Sequence, residues 1–179
     1  MEPRPLKEYT RGQRRRLVAR AVLSVVVSWV GLIGAYYLIP FDDYSAAGAV
    51  LRLVIGMAIL ISVLVWLLLR ILNSDLPGLR AVEALAVILI LLTVVFAATY
   101  LSVVHESPHS FNQTLTHNSA LYFTITVLCT VGFGDIVPVT DLARMMVSVQ
   151  MIVDLVFVAA VVRVFFTAVK VGQARRDQR

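Results

Sequence analysis

The sequence predicts an all-α membrane protein with four spanning helices and one shorter, re-entrant helix. Hydrophobic residues make up 59% of the 179 residues, and the mean hydropathy of +0.85 is too high for an ordinary soluble domain. Four apolar runs, at 17–39, 47–72, 81–104 and 142–169, each meet the roughly 20 residues that a spanning helix needs. A fifth run, 119–129, is too short and is followed by a glycine-rich segment, so we expect it to enter and leave by the same face.

The positions of the basic residues predict the orientation. Seven of the 16 Lys and Arg precede residue 21, two flank the connection between the second and third runs, and four follow residue 169. If four helices cross, these residues share one side, which the positive-inside rule identifies as the cytoplasm. Both termini are therefore predicted to be cytoplasmic, and the connections at 40–46, with Asp42 and Asp43, and at 105–141, without Lys or Arg, face outward. The net charge of +5 is explained by these basic residues on the cytoplasmic side of the membrane, so no nucleic-acid partner is expected.

The chain is predicted to divide into four parts. Residues 1–16 are a basic cytoplasmic segment that either lies along anionic lipid or serves only as a topology signal. Residues 17–72 form a peripheral hairpin of two helices, the first ending at Pro40, and the turn-forming residues 73–78 follow it. The first run exceeds 20 residues and lacks a small-x-small cleavage site, which favours a spanning helix over a cleaved secretory signal.

The second half, residues 79–170, is predicted to contain a helix, the re-entrant segment and the last helix. A short cytoplasmic tail, 171–179, completes the chain, so we expect no cytoplasmic ligand-binding domain in it. A voltage sensor needs several Arg at every third position of one helix, and the second run offers only Arg52 and Arg70.

The glycine-rich segment after the re-entrant helix has the chemistry of an ion filter. A cation enters a narrow pore only if main-chain carbonyls replace the water that it loses. Gly132 and Gly134, at alternate positions, allow backbone angles that direct successive carbonyls toward one axis. Thr130 adds a hydroxyl at the inner mouth, while Val131 and Phe133 are expected to point away from the axis. One strand cannot encircle an ion, so we expect four chains around a fourfold axis.

The stretch ALYFTITVLCTVGFGD, residues 120–135, resembles the pore helix and filter of potassium channels. The likeness covers about residues 80–170, roughly half of the chain, and leaves the first two helices outside. It implies a homotetrameric pore that conducts K⁺ passively and is lined by the last helix. It also implies that the filter consists of five residues, the first four of which coordinate K⁺: Thr130, Val131, Gly132, Phe133 and Gly134.

The resemblance also implies roles around the filter. Tyr122 and Phe123 would form an aromatic cuff behind it, and Asp135 would anchor its outer end. Thr126 stands where some members of the family carry Glu, so Asp135 is expected to find another hydrogen-bond partner. Cys129 stands where a second Thr is common, and as the only cysteine it forms no intrachain disulfide.

Asp154 lies about thirteen residues into the last helix, near the bilayer midplane. An ionised carboxylate there costs at least about 2.5 kcal/mol, so its presence indicates a specific structural or functional role. The resemblance puts it where many relatives carry a hinge glycine. We interpret it as one of four carboxylates that ring a water-filled cavity and attract cations. The alternative is packing against a neighbouring helix with a hydrogen bond to Gln150, one turn earlier.

The predicted outer loop carries His105, His109 and His117, which titrate near physiological pH. External proton sensing or metal binding is one interpretation, and simple solvation is the other. The same loop contains Asn112, which begins an Asn-x-Thr glycosylation acceptor pattern.

Together these observations predict a potassium-selective channel subunit in a plasma membrane, bacterial to judge from the short chain. No nucleophile, metal cluster or phosphate-binding loop indicates an enzyme, and no cofactor is expected besides the permeant K⁺ ions. The alternatives are a weakly selective cation channel and a non-conducting accessory or sensory subunit. A secondary transporter would require a paired repeat, which the sequence does not show.

Overall fold

The computed structural model describes residues 11–38, 46–72 and 77–177. Over these ranges the chain forms five helices: α1 (Arg11–Leu38), α2 (Ala46–Leu72), α3 (Pro77–Glu106), α4 (His117–Leu128) and α5 (Asp141–Asp177). The described ranges contain no β-strand, and the one isolated bridge among them pairs Phe111 with Pro138. The predicted all-α fold is confirmed.

Three of the described helices contain an apolar stretch long enough to cross a membrane: Val18–Leu38, Gly78–Glu106 and Asp141–Val164. α2 has 27 residues, about 40 Å of helix, but its apolar stretch is the shorter Leu53–Leu67. α4 has 12 residues, about 18 Å, and is too short to cross. The protein is therefore an all-α membrane protein, and the crossing of the membrane by α2 stays a prediction.

α3 is the central helix of the chain, because it contacts each of the other four. Its second half is almost wholly buried, with Phe96, Tyr100 and Leu101 among the largest enclosed side chains. Toward this helix α4 and α5 contribute Phe123 and Met146, which are also buried. The core thus centres on α3 and includes residues of all four other helices.

α2 approaches α3 more closely than a side chain at the contact would allow. A Cβ added to Gly56 would lie 2.6 Å from Cγ1 of Val95, well inside van der Waals contact. Membrane helices gain no hydrophobic energy by associating in lipid, so small residues that let backbones approach supply much of their attraction. Gly56 therefore fixes the distance between the second helix and the centre of the chain.

α1 packs against α3 along a narrow edge. Only 6% of the apolar window of Val18–Leu38 is buried within the chain, so most of this helix faces outward. The indole N–H of Trp29 donates a hydrogen bond to the carbonyl of Ala86 at 3.0 Å. Near its end, Tyr36 is completely buried and turns toward the first residues of α4.

The described helices differ from the predicted runs at both ends of the chain. α1 begins at Arg11, so part of the predicted basic segment is helical, and α5 continues to Asp177 through most of the predicted tail. Several predicted features lie outside the described residues: positions 1–10, the helix end at Pro40, the acidic pair Asp42 and Asp43, and the turn residues 73–76. The division into four parts stays a prediction.

Replacing Gly56 with Ala is expected to lower the free energy of unfolding by about 1–3 kcal/mol, because the new methyl group meets the β-branched, stiff side chain of Val95. Denaturant unfolding of the purified protein in micelles, followed by circular dichroism, measures this cost. Adding Val95→Ala should recover part of the loss. The matched control is Gly31→Ala on α1, where an added Cβ meets nothing within 4 Å. Equal stability of the two single variants would show that the close approach is not a constraint.

Candidate functional site

α4 starts with a capping box. The Thr116 hydroxyl accepts a hydrogen bond from the backbone N–H of Ser119 at 3.2 Å, and the Ser119 hydroxyl accepts one from the N–H of Thr116 at 2.6 Å. This reciprocal pair satisfies two donors that a helix start otherwise leaves open. The first turn of α4 is thereby fixed in place, at the far end of the 12-residue helix from the glycine-rich segment.

The last carbonyls of α4 accept hydrogen bonds from the start of residues 130–134, which we call the filter segment after their predicted role. The Thr126 carbonyl accepts from the N–H of Val131 at 2.9 Å and from that of Gly132 at 3.3 Å. The Val127 carbonyl accepts from the N–H of Thr130 at 2.9 Å. Carbonyls at a helix end lack partners within the helix, and here the filter segment supplies them. The segment is therefore attached directly to the end of α4.

The backbone of the filter segment alternates in conformation. The φ angle is +58° at Thr130, +53° at Gly132 and +79° at Gly134, and no other non-glycine residue in the described ranges has a positive φ. Alternation between left- and right-handed residues aligns the peptide groups, so that N–H groups and carbonyls face opposite sides of the strand. Glycine adopts this conformation freely, whereas Thr130 bears a cost of about 1–2 kcal/mol. The glycine angles were predicted, and that of Thr130 was not.

Asn112, in the loop between α3 and α4, holds the chain where it leaves the filter segment. Its Nδ2 donates to the carbonyl of Asp135 at 2.8 Å, and its Oδ1 accepts from the N–H of Val137 at 3.0 Å. Its own N–H donates to the Val137 carbonyl at 3.1 Å, beside the bridge between Phe111 and Pro138. The sequence indicated Asn112 only as a glycosylation acceptor, and no local pattern signals this second role.

Tyr122 packs against the filter segment. Its ring stacks on that of Phe133, with centroids 6.4 Å apart and planes 4° from parallel. Thr126, which stands where some potassium channels carry Glu, turns its hydroxyl to the carbonyl of Phe123 at 2.8 Å. The hydrogen-bond partner expected for Asp135 stays a prediction.

Phe123 lies away from the filter segment, within one chain. Its ring meets those of Tyr100 and Phe111 edge to face, with centroids 5.2 Å and 5.4 Å away. Of the two aromatic residues predicted to form a cuff, Tyr122 therefore faces the filter segment and Phe123 faces α3. These two adjacent residues thus place the filter segment and the core against different faces of α4.

A buried polar network joins α3, α4 and α5. The Tyr100 hydroxyl donates to Oε1 of Gln150, whose Nε2 donates to the Thr124 carbonyl at 3.1 Å and to Oδ2 of Asp154 at 3.0 Å. Gln150 is completely buried, so these bonds have no competition from water. One glutamine thus links three helices directly behind the filter segment.

Asp154 occupies the second of the two arrangements considered from the sequence, packed against a neighbouring helix and bonded to Gln150. Its side chain is only 4% exposed in a single chain, and further subunits around this conformation can only add burial. Its Oδ1 has no hydrogen-bond partner among the described residues. A ring of four carboxylates around a cavity stays a prediction, and it requires the side chain to leave this network.

The three histidines of the loop do not come together. Among the residues that the structure describes, no three side chains of the metal-binding types lie close enough to hold an ion. His105 contacts the main chain of α3 one turn earlier, and His109 is exposed. His117 packs against Tyr36 and Tyr37 at the end of α1. The structure therefore contains no three-histidine metal site, and proton sensing stays a prediction.

Replacing Asn112 with Ala should accelerate amide exchange at Val137 by roughly tenfold, because the amide loses its acceptor and the exit strand loses the bond to Asp135. Hydrogen–deuterium exchange with mass spectrometry on the purified protein measures this rate. Gln113→Ala, at the exposed neighbouring position, should leave the exchange unchanged. Equal protection of Val137 in both variants would contradict the role assigned to Asn112.

Comparison with known proteins gives a family model and curated relatives that match part of the chain. Residues 85–171 match a family model described as "Ion channel". A protein from Rhodopseudomonas palustris with the provisional name of potassium channel protein is 35% identical over 99 residues, which are 55% of this chain and 23% of that protein. No solved structure matches significantly. This chain thus spans less than a quarter of the relative's length.

The matched residues include most of α3, all of α4, the filter segment and most of α5, while α1 and α2 lie outside them. They are the same half of the chain in which the sequence resemblance lies, so the predicted resemblance to potassium channels is confirmed. In this domain, the chain is similar to ion channels and to a protein that is provisionally named a potassium channel.

Proposed function

We propose that this chain is one quarter of a homotetrameric channel that conducts K⁺ passively across a plasma membrane. The observation that carries the proposal is the positive φ at every second residue, 130, 132 and 134, directly after a short helix. A backbone of this kind presents a row of carbonyl oxygens on one side. Such oxygens are the ligands that replace the hydration shell of K⁺ in a narrow pore.

The exposure of the filter segment supports the tetramer. In a single chain, Val131 is 52% and Phe133 is 70% exposed, although both are apolar. On α5, Ile152, Leu155 and Val156 are exposed as well. Three further copies around a fourfold axis would cover the backs of the filter segments and complete the ring of carbonyls.

The attachment of the filter segment at both ends supports selectivity for K⁺. Thr126 bonds its first amides, and Asn112 bonds the residues that follow it. A segment held at both ends keeps the spacing and number of its carbonyls, which are the properties on which discrimination between K⁺ and Na⁺ depends.

The orientation follows from charge. The basic ends of the chain favour a cytoplasmic location for both termini, and anionic lipid is the partner proposed for the basic N-terminal residues. The end of α1 and the start of α4 contact each other, as expected if both lie at the outer surface. A bacterial plasma membrane is the location that we propose.

Purified protein in liposomes with K⁺ inside and Na⁺ outside should carry a current that reverses near the K⁺ equilibrium potential. The measurement also separates the alternatives, because reversal near zero would identify a weakly selective cation channel. Absence of any flux would identify a non-conducting accessory subunit and refute the proposal.

Gly132→Ala should reduce K⁺ current or the K⁺/Na⁺ permeability ratio by at least about tenfold, because an L-residue at φ +53° is strained by about 1–2 kcal/mol in each of four subunits. The added Cβ meets nothing within 4 Å in its own chain, so the effect comes from the backbone and the neighbouring subunits. Gly78→Ala makes the same change where φ is ordinary and space is open, and should conduct like the wild type. Wild-type permeation in Gly132→Ala would contradict the role of this backbone.

A further inference from the structure

The C-terminal end of α1 contacts the start of α4 through two hydroxyl groups. The Tyr36 hydroxyl donates to the carbonyl of His117 at 2.8 Å, and the Tyr37 hydroxyl donates to Oδ1 of Asn118 at 2.5 Å. Each bond joins residues 81 positions apart. The two tyrosines lie outside the region that matches the channel family, and the two residues that they hold lie inside it.

The rings of the same residues pack together. The His117 ring meets Tyr36 edge to face at 5.3 Å and stacks on Tyr37 at 5.5 Å, with planes 21° apart. The two tyrosine rings also meet each other edge to face at 5.2 Å. Two hydrogen bonds and two ring contacts thus join α1 to the first turn of α4, and a third ring contact joins the two tyrosines to each other. We call the four residues Tyr36, Tyr37, His117 and Asn118 the tyrosine clamp.

The clamp and the filter segment lie at opposite ends of one short helix. α4 is 12 residues long, about 18 Å, and its last carbonyls hold the filter amides of Val131 and Gly132. A helix of this length moves as a rigid body, so a shift of its first turn displaces the carbonyls at its last turn. The position of α1 is therefore transmitted to the filter segment.

The rest of α1 contacts α3 along one edge. Only 6% of its apolar window is buried in the chain, and its hydrogen bond from Trp29 goes to α3 and not to α4. Most of the α1 surface is therefore left for lipid or for a neighbouring subunit. The clamp is the contact through which the placement of α1 reaches α4.

We propose that Tyr36 and Tyr37 are positioning residues for the pore, which hold the first turn of α4 and thereby stabilise the conducting arrangement of the filter segment. The proposal rests on the proposed channel function. It assigns the first helix, which the family match does not cover, a part in setting how long the channel stays open.

Single-channel recording in planar bilayers tests the proposal. Tyr36→Phe and Tyr37→Phe each remove one hydroxyl and keep the ring, and each should lower the open probability by at least about threefold. The unitary conductance and the K⁺/Na⁺ permeability ratio should not change, because the filter residues are intact. Trp29→Phe removes the bond from α1 to α3 without touching α4, and should change the open probability less than twofold. An equal effect of all three variants would overturn the proposal, since it would show a general loss of α1 packing.

A double-mutant cycle identifies the bond. Tyr37→Phe and Asn118→Ala remove the same hydrogen bond, so the double variant should show an effect no larger than the stronger single variant. Tyr36→Phe and Tyr37→Phe remove different bonds, and their effects should multiply. Independent effects of Tyr37→Phe and Asn118→Ala would overturn the assignment.

Hydrogen exchange separates this proposal from the channel function, because it requires no current. In Tyr36→Phe and Tyr37→Phe, amides of the first turn of α4 and the filter amides of Val131 and Gly132 should exchange faster, whereas Trp29→Phe should match the wild type. If the wild type carried no K⁺ but exchange changed in this pattern, the proposed function would fail and the positioning role would stand. Unchanged filter amides in both tyrosine variants would overturn the positioning role whatever the current.

Discussion

The structure depends on the backbone conformation between Thr130 and Gly134. Every second residue there has a positive φ, and such a segment has no helix or sheet ladder of its own to hold it. Its stability comes from its surroundings, first from the Thr126 carbonyl and then from the side chain of Asn112. Behind these, Gln150 fixes α4 to α3 and α5 through a buried network. The filter segment is therefore held by α4 and the Asn112 loop, and α4 is held in turn by α3 and α5.

The parts that were predictable from the sequence are those encoded over short distances. Hydropathy runs require only consecutive residues, and the glycines of the filter segment carry their own backbone preference. The contacts of Asn112 with Asp135, of Tyr100 with Gln150 and of Tyr36 with His117 span 23, 50 and 81 positions. No local pattern indicates such partners, because they depend on how separate helices pack.

Asp154 shows a second limit of sequence reasoning. Its two interpretations differ only in the rotation of α5 about its own axis. In a soluble helix, the apolar stripe reveals which face is buried, but in a membrane both the lipid-facing and the protein-facing sides are apolar. The helix that carries Asp154 was therefore predictable, whereas the hydrogen bond of its carboxylate with Gln150 depends on how the helices pack.

α5 continues as one helix for thirteen residues beyond Val164, where its apolar stretch ends, which amounts to about 20 Å. If the apolar stretch fills the bilayer, this extension stands in water as a lever arm. A tilt of the buried part by about 10° would sweep its far tip sideways by about 3.5 Å. A small tilt of α5 inside the membrane would thus displace its C-terminal end by several ångströms, and a molecule bound at that end could oppose the tilt.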